Sequence, residues 1–328
     1  DGKLWVIGST AQPQAEVALP QTLDCAPIRF AGGVLLPLPG RLKLAGRAGG
    51  PPCDDFLAPV KTADDAPLRK WKHLVTIDAD QLFVVDNVGK LSKLQYRTGD
   101  KCFFQTISSL DFPQPLDVPP TLHKDRLITA DAQGTLRVLD VTAMETRAEV
   151  ALGAAASKPL WVAGPLLLAE VGRQKLVAFD IAQPKQPLWT LKLDGNGIVG
   201  SPLLIDDALI AVQQTGDVLR IDPKTGLVAN KLSLGQIATH GPIRLGNLLV
   251  VITADGSLNH VESLIPSFVR AAAETAKTQP PRVEKPVEAA PVKEEKPAED
   301  KPAKDDKPKD DKPKDDKPMS DVQPADEK

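Results

Sequence analysis

The stretch Arg126–Asp140, RLITADAQGTLRVLD, contains two apolar runs on either side of a turn that ends at Gly134. Its signature, a glycine followed two residues later by an apolar residue, returns along most of the chain, with Gln174 replacing the glycine once. The apolar anchors of the signature are Leu4, Leu42, Leu91, Leu136, Leu176, Val218 and Leu258. A period of roughly 40–45 residues built from short apolar runs is typical of β-propeller blades. The sequence therefore predicts an all-β propeller.

Each repeat has the pattern of a four-stranded blade. In the clearest repeat, residues 119–122, 126–130, 135–140 and 147–152 are apolar or alternating runs separated by turns. A blade of this kind has two apolar faces, and stacking it between other blades buries both of them. The first unit begins at its third strand and the last ends after its third strand. Seven anchors predict about seven blades, or eight if further strands lie upstream of Asp1.

The composition divides the chain near residue 270, where aliphatic residues give way to Lys, Asp, Glu, Pro and Ala. We predict a propeller over residues 1–266, a short helix or linker over 267–279 and a disordered tail over 280–328. Proline together with dense charges of both signs prevents the tail from forming a packed core. Residues 46–70 interrupt the repeat as an insertion, which is either functional or tolerated drift in a surface loop.

Charge and hydropathy exclude several classes of partner. The formal net charge of −3 averages segments of mixed sign, so no basic surface for nucleic acid is predicted. No apolar run approaches the ~20 residues of a membrane-spanning helix, so no transmembrane segment is predicted. The chain also contains no recognisable targeting signal.

Residues that could perform chemistry are scattered along the chain. The three cysteines, Cys25, Cys53 and Cys102, have no metal-like spacing; we interpret them as buried or free thiols, with one loop–loop disulfide as the alternative. No serine lies in a G-x-S-x-G elbow. The histidines fall in different repeats without ligand spacing, so no metal site is predicted; they are His73, His123, His240 and His260.

Several repeats share a more specific pattern. The segment Thr253–Leu258 reads TADGSL, and Lys175–Asp180 reads KLVAFD with Trp189 downstream. This pattern resembles the pyrroloquinoline-quinone-type repeat, which forms the propellers of quinoprotein dehydrogenases and of their non-enzymatic relatives. The sequence lacks the adjacent cysteine pair of the quinone-binding enzymes. The resemblance therefore implies the non-enzymatic branch, no cofactor, protein contacts made by the face loops, and an extracytoplasmic, periplasmic or cell-envelope location.

The sequence thus favours a non-catalytic binding or scaffolding module with a protein partner. Two alternatives remain open at this point. The first is a sensory or ligand-binding ectodomain of a larger protein, and the second is a degenerate quinoprotein-type enzyme. An acidic cluster on one face would favour the enzyme, whereas an apolar or charged patch without such a cluster would favour the scaffold.

The predicted binding surface is the polar rim where propellers commonly bind their ligands. Turns between the second and third strands share one face with the links between blades, so their side chains are expected to lie together. Aspartates recur at fixed positions in these turns, where they are expected to bond their own backbone. The predicted binding residues are His73, Asp86, Asn87, Asp131, Gln133, Arg173, Asn196, Gln213, Gln214, His240 and Asp255.

Overall fold

The computed structural model describes residues 2–7, 13–19, 21–45, 52–59, 69–246 and 248–261, and these residues form strands, turns and loops without helices. The strands fall into seven antiparallel sheets. Their bounds are β1 (Gly2–Ile7), β2 (Pro13–Leu19), β3 (Ile28–Phe30), β4 (Gly33–Leu38), β5 (Arg41–Ala45), β6 (Phe56–Leu57), β7 (Trp71–Thr76), β8 (Gln81–Asp86), β9 (Lys90–Thr98), β10 (Cys102–Asp111), β11 (Thr121–His123), β12 (Arg126–Ala130), β13 (Thr135–Asp140), β14 (Thr146–Ala151), β15 (Trp161–Ala163), β16 (Leu166–Val171), β17 (Lys175–Asp180), β18 (Trp189–Lys192), β19 (Ile198–Ile205), β20 (Ala208–Gln213), β21 (Asp217–Ile221), β22 (Val228–Ser233), β23 (Ala238–Leu245), β24 (Leu248–Thr253) and β25 (Leu258–His260).

The sheets are propeller blades whose strands pair in sequence order. We name them blade A (β3–β6), blade B (β7–β10), blade C (β11–β14), blade D (β15–β18), blade E (β19–β22) and blade F (β23–β25). The hairpin β1–β2 precedes them, and blade F has three strands among the described residues. Every anchor of the repeat lies in the expected strand, from Leu4 in β1 to Leu258 in β25. The prediction of an all-β propeller of repeated blades is confirmed.

The hydrophobic core consists of layers between successive blades. Residues of blade B alternate between two layers: Leu82 and Val84 pack toward blade A, whereas Phe83 and Val85 pack toward blade C. Further layers join blades C and D, D and E, and E and F. A strand buried on both sides must be apolar throughout, as β16 nearly is with its sequence LLLAEV. Each blade is therefore stabilised mainly by its neighbours.

The described part of the insertion has a structural role. Phe56 and Leu57 form β6, the fourth strand of blade A. Just before it, Cys53 forms a disulfide with Cys102, the first residue of β10 in blade B. This bond corrects the interpretation of these two cysteines as buried or free thiols; the alternative of one loop–loop disulfide is the one observed. Cys25 is a free, half-buried thiol, and burial together with the nearby Asp24 raises its pKa to about 11.

Contacts divide the chain into two units, Asp1–Gln279 and Pro280–Lys328. All described residues belong to the first unit, and the last of them is Val261. The predicted helix or linker over 267–279 and the predicted disordered tail over 280–328 lie outside the described residues.

Candidate functional site

Antiparallel strand order gives the blades two distinct ends. At one end lie the turns between second and third strands and the links from one blade to the next; we call this end the link face. At the other end lie the hairpins between first and second strands and the turns between third and fourth strands; we call it the hairpin face. Eight of the predicted binding residues lie in or beside second-to-third turns, and His73, Asn196 and His240 lie in links or first strands. All eleven therefore belong to link-face segments.

Two of the predicted acidic residues are buried and hold their own turns. Asp86 accepts hydrogen bonds from the backbone of Val88 and Lys90 through Oδ1, and Oδ2 lies 2.6 Å from Arg69 Nη1. Asp131 accepts bonds from the Gln133 and Thr135 N–H groups, and from Arg137 Nη1 at 2.7 Å. Burial opposes the ionisation of Asp131, but these hydrogen bonds outweigh it and hold its pKa below the usual value. Both carboxylates are thus occupied by structural contacts.

Three further predicted residues also serve the fold. The Asn87 side-chain oxygen accepts the Lys70 N–H at 3.0 Å. His73 Nε2 lies 3.0 Å from the Leu116 carbonyl, an acceptor, so this nitrogen carries the proton. Burial lowers the pKa of His73, which keeps the imidazole neutral near pH 7. Gln213 is buried, and its amide nitrogen points to the backbone oxygen of Asn196 at 3.5 Å.

The remaining predicted residues are more accessible. Asn196 is half-buried, and the other five are exposed: Gln133, Arg173, Gln214, His240 and Asp255. The Asp255 carboxylate bonds its own turn, since Oδ1 accepts from the Ser257 N–H at 3.0 Å and Oδ2 from the Ser257 hydroxyl at 2.8 Å. These hydrogen bonds lower the Asp255 pKa, the Thr253 hydroxyl having the largest effect. The carboxylate nevertheless stays exposed and ionised at the surface.

Hydrogen bonds connect blades D, E and F across the link face. Arg173 of blade D donates from Nη2 to Gln214 Oε1 of blade E at 3.1 Å. The Gln214 carbonyl accepts the Ala238 N–H at 3.0 Å, and the neighbouring Ile237 carbonyl accepts the Ala254 N–H at 2.9 Å. The Gln236 amide, oriented to donate, reaches Asp255 Oδ2 at 3.2 Å. We call Arg173, Gln214, Gln236, Ile237, Asp255 and Leu258, which directly follows the turn that holds Asp255, the D–F band.

The D–F band also carries apolar surface. Ile237, in the link between blades E and F, has 58% of its surface exposed. Leu258, at the start of β25, is 62% exposed. Sequence reasoning selected only polar rim residues and missed both. The sequence feature that could have identified them is a large aliphatic residue in a link or directly after a turn. At such positions the side chain cannot be buried between two blades.

Sequence reasoning also missed Glu170, a fully buried carboxylate in β16. Its Oε2 accepts the Ile198 N–H at 2.5 Å, and its Oε1 accepts the Ser157 hydroxyl at 2.6 Å. Gly197 leaves room for it, because a Cβ at that position would lie 2.9 Å from Oε1. Ser157 in turn accepts the Arg173 N–H at 3.3 Å. Glu170 therefore holds the two links that lie beside Arg173. The sequence feature that could have identified it is a single charged residue within an otherwise apolar strand.

The prediction that the four histidines fall in different repeats is wrong for one pair, because His240 in β23 and His260 in β25 both lie in blade F. Within the described ranges, no group of three or more His, Cys, Asp or Glu side chains is arranged to hold a metal ion.

In the same part of the chain there is also no helix with the length and apolar character needed to cross a membrane.

Gly216 controls the position of the D–F band. It has a φ of +89°, and a Cβ added there would lie 1.9 Å from the Gln236 carbonyl oxygen. We expect Gly216→Ala to lower the free energy of unfolding by about 2–3 kcal/mol, from left-handed strain plus displacement of the link. The matched control is Gly256→Ala, at the same repeat position with a φ of +84° and no atom within 4 Å.

Denaturant unfolding of both variants measures the difference. Gly256→Ala carries only the backbone term and should cost about 1–2 kcal/mol. Equal losses in the two variants would show that the contact with Gln236 does not constrain the link.

Comparisons with known proteins agree with this architecture. Residues 141–232 match the family model described as outer membrane protein assembly factor BamB. No curated protein sequence matches the chain. BamB from Moraxella catarrhalis is structurally similar, with a TM-score of 0.60 and 16% identity over 79% of this chain and 78% of that one.

Two other solved propellers are similar at comparable levels. The computationally designed Ika8 protein has a TM-score of 0.56 and 15% identity, covering 79% of this chain and 76% of its own. BBS1N, crystallised in complex with ARL6DN, has a TM-score of 0.52 and 16% identity, covering 76% and 80%. At these identities the structures show a shared fold alone. Taken with the repeat pattern, they show that the chain has the β-propeller fold, and the match over residues 141–232 shows that this part of it is similar to the pyrroloquinoline-quinone-like repeats of that family.

Proposed function

We propose that this propeller is a non-catalytic binding module that contacts a protein partner through the D–F band of its link face. The observation that carries the proposal is the composition of that band. It joins the paired Arg173 and Gln214 side chains to exposed apolar surface at Ile237 and Leu258. Arginine is enriched among the residues that dominate the binding energy of protein interfaces, exposed apolar side chains contribute by the area they bury, and polar side chains around them fix the orientation of the partner.

The matched family and a similar structure support a protein-interaction role. The family over residues 141–232 is described as an assembly factor, and BBS1N was crystallised as a complex with another protein. Analogy between propellers is a weak argument for a particular partner, because one fold hosts many functions. The partner's identity is therefore left to experiment, and the proposal concerns the surface and its chemistry.

The disulfide supports an extracytoplasmic location for the module. Disulfides persist in secreted, periplasmic and cell-surface proteins and are rare where thiols are kept reduced. Cys53 and Cys102 join blades A and B covalently, and the bond closes a sequence separation of 49 residues. The family description, an outer membrane assembly factor, points to the same compartment. We propose that the chain works in the cell envelope or outside the cell.

Site-specific photocrosslinking in cells of the source organism tests the interaction surface. A benzoylphenylalanine at position 214 or 237 of the full chain should give a discrete adduct of higher mass after irradiation. The matched control is the same residue at position 103, because Phe103 lies on the outer strand of blade B and is 46% exposed. Arg173→Glu should reduce the adduct from position 237 at least tenfold, since the arginine contributes to the interface.

Two results would contradict this proposal. One is equal adduct formation at position 103 and at the D–F band, which would indicate unspecific collision. The other is a band that gives no adduct while position 103 does, which would move the interface to the outer edge of blade B.

A further inference from the structure

A second candidate site lies on the hairpin face, opposite the D–F band. A cleft of about 450 Å³ opens there between blades D and E. Its walls come from the first-to-second hairpins of both blades and from their third-to-fourth turns. The volume falls within the range of about 300–1,000 Å³ that is typical of ligand sites. None of the eleven residues predicted from the sequence lines it.

Contacts between the two blades hold the walls of the cleft in place. Gly164, with a φ of +60°, approaches Leu204 so closely that a Cβ would lie 2.5 Å from Leu204 Cδ2. Trp189 of blade D donates from Nε1 to the Pro223 carbonyl of blade E at 2.8 Å. Gly226 lies against the same indole ring, where a Cβ would be 2.6 Å from Cδ2. A site with walls fixed in this way loses little entropy when it binds a ligand.

The lining combines apolar walls with an acidic rim. The walls are formed by Pro165, Leu188, Leu204 and Pro223. Three carboxylates, Asp180, Asp206 and Asp207, and one ammonium group, Lys224, also line the cleft, which leaves a formal charge of −2 (−3 + 1). An excess of negative charge beside apolar walls is complementary to a long side chain with an apolar stem and a cationic end.

Apolar surface continues beyond the cleft along the turn of blade E. Leu227 is 70% exposed and Val228 is 41% exposed, while Leu188 on the cleft wall is 51% exposed. Exposed apolar surface that adjoins a cleft is typical of a site for another protein chain, because a small ligand would leave it uncovered. The occupant should therefore be longer than a single charged group.

We propose that this cleft binds a basic, apolar peptide segment of a partner protein. A lysine or arginine of the segment lies with its stem on Leu188 and Leu204 and its charge toward Asp207. A neighbouring apolar side chain of the segment covers Leu227. The site is independent of the function proposed for the D–F band, because it lies on the other face of the blades and uses none of the same residues.

Fluorescence anisotropy with the full chain tests the site. The probe is a fluorescein-labelled hexapeptide that alternates leucine and arginine, and the controls are the serine–arginine and leucine–glutamate hexapeptides. We expect saturable one-to-one binding of the probe, at least tenfold tighter than either control and weaker at about 0.5 M salt. Leu188→Ser and Asp207→Lys should each weaken binding of the probe at least tenfold, with melting temperatures unchanged because both side chains are exposed.

Control variants and a competitor separate the outcomes. Asp194→Lys makes the same charge change at an exposed link-face position and should leave probe binding unchanged. Absence of saturable binding, or binding that Leu188→Ser and Asp207→Lys do not weaken, would overturn the proposal. Displacement of the probe by a synthetic peptide of residues 304–318, at equal affinity, would overturn the assignment to a partner and make the chain's own Lys–Pro segment the occupant. None of these results bears on the function proposed for the D–F band, which the crosslinking experiment tests separately.

Discussion

Replacement of Trp189 by alanine is expected to lower the free energy of unfolding by about 3–5 kcal/mol. The indole is 7% exposed and belongs to the core layer between blades D and E. Its loss would leave a cavity in that layer and remove the donor that holds the Pro223 carbonyl at 2.8 Å. The turn of blade E packs on the ring through Gly226, so one side chain fastens the fourth strand of one blade to a turn of the next.

Denaturant unfolding with matched variants separates the contributions of Trp189. Trp189→Phe keeps most of the buried ring but loses the N–H donor, so it should cost about 1–2 kcal/mol. Leu188→Ala changes the adjacent, exposed residue and should stay within about 0.5 kcal/mol of the parent protein. A loss below about 1 kcal/mol in Trp189→Ala would show that the layer between blades D and E does not depend on the indole.

The repeat made most of the fold predictable. Glycine at the turn before the third strand is needed for its backbone conformation, since Gly89, Gly134 and Gly256 have φ values of +85°, +81° and +84°. Because this need for glycine depends only on the turn itself, the glycine recurs in the sequence of each repeat. The apolar residue two positions later marks the strand that follows. Stacking of blades then follows from apolar residues on both faces of each strand, as Leu82 and Phe83 illustrate.

The candidate binding surface was only partly predictable, because the burial of a side chain depends on neighbours that the repeat does not specify. Asp131 and Asp255 occupy similar turns, yet Arg137 reaches the first at 2.7 Å and the second stays exposed. Glu170 is buried since Gly197, in the next link, leaves room for its carboxylate. The cleft on the hairpin face is formed by turns about one repeat apart, so no single segment of sequence contains it.

The cysteines show the same limit. Spacing alone does not reveal that Cys53 and Cys102 meet, because their contact depends on the course of the insertion between β5 and β7. In the structure, residues beside Cys53 pair with the start of β10, and the Asp54 N–H donates to the Cys102 carbonyl at 2.8 Å. This pairing brings the two sulfur atoms together at a point in the chain just before β6. The insertion thus supplies both a strand and a covalent link.

Removal of this disulfide is expected to lower the free energy of unfolding by about 4 kcal/mol. The bond spans 49 residues of sequence, and the chain-entropy relation for a closed loop of that length gives about 4 kcal/mol at 25 °C. The loop contains β6 to β9, so reduction should loosen the contact between blades A and B. The test compares denaturant unfolding of the oxidised protein with that of the double variant Cys53→Ala, Cys102→Ala.

Two controls make the comparison specific to the bond. The parent protein in reductant should unfold like the double variant, because both lack the covalent constraint on the unfolded chain. Cys25→Ala removes the free thiol and should cost no more than about 1 kcal/mol, since Cys25 is only half-buried. Alkylation of all three thiols in the unreduced protein, unfolded in denaturant so that the buried Cys102 is accessible, would show that no bond forms. It would also remove the support that the disulfide gives to an oxidising compartment, leaving the family description as the argument for the cell envelope.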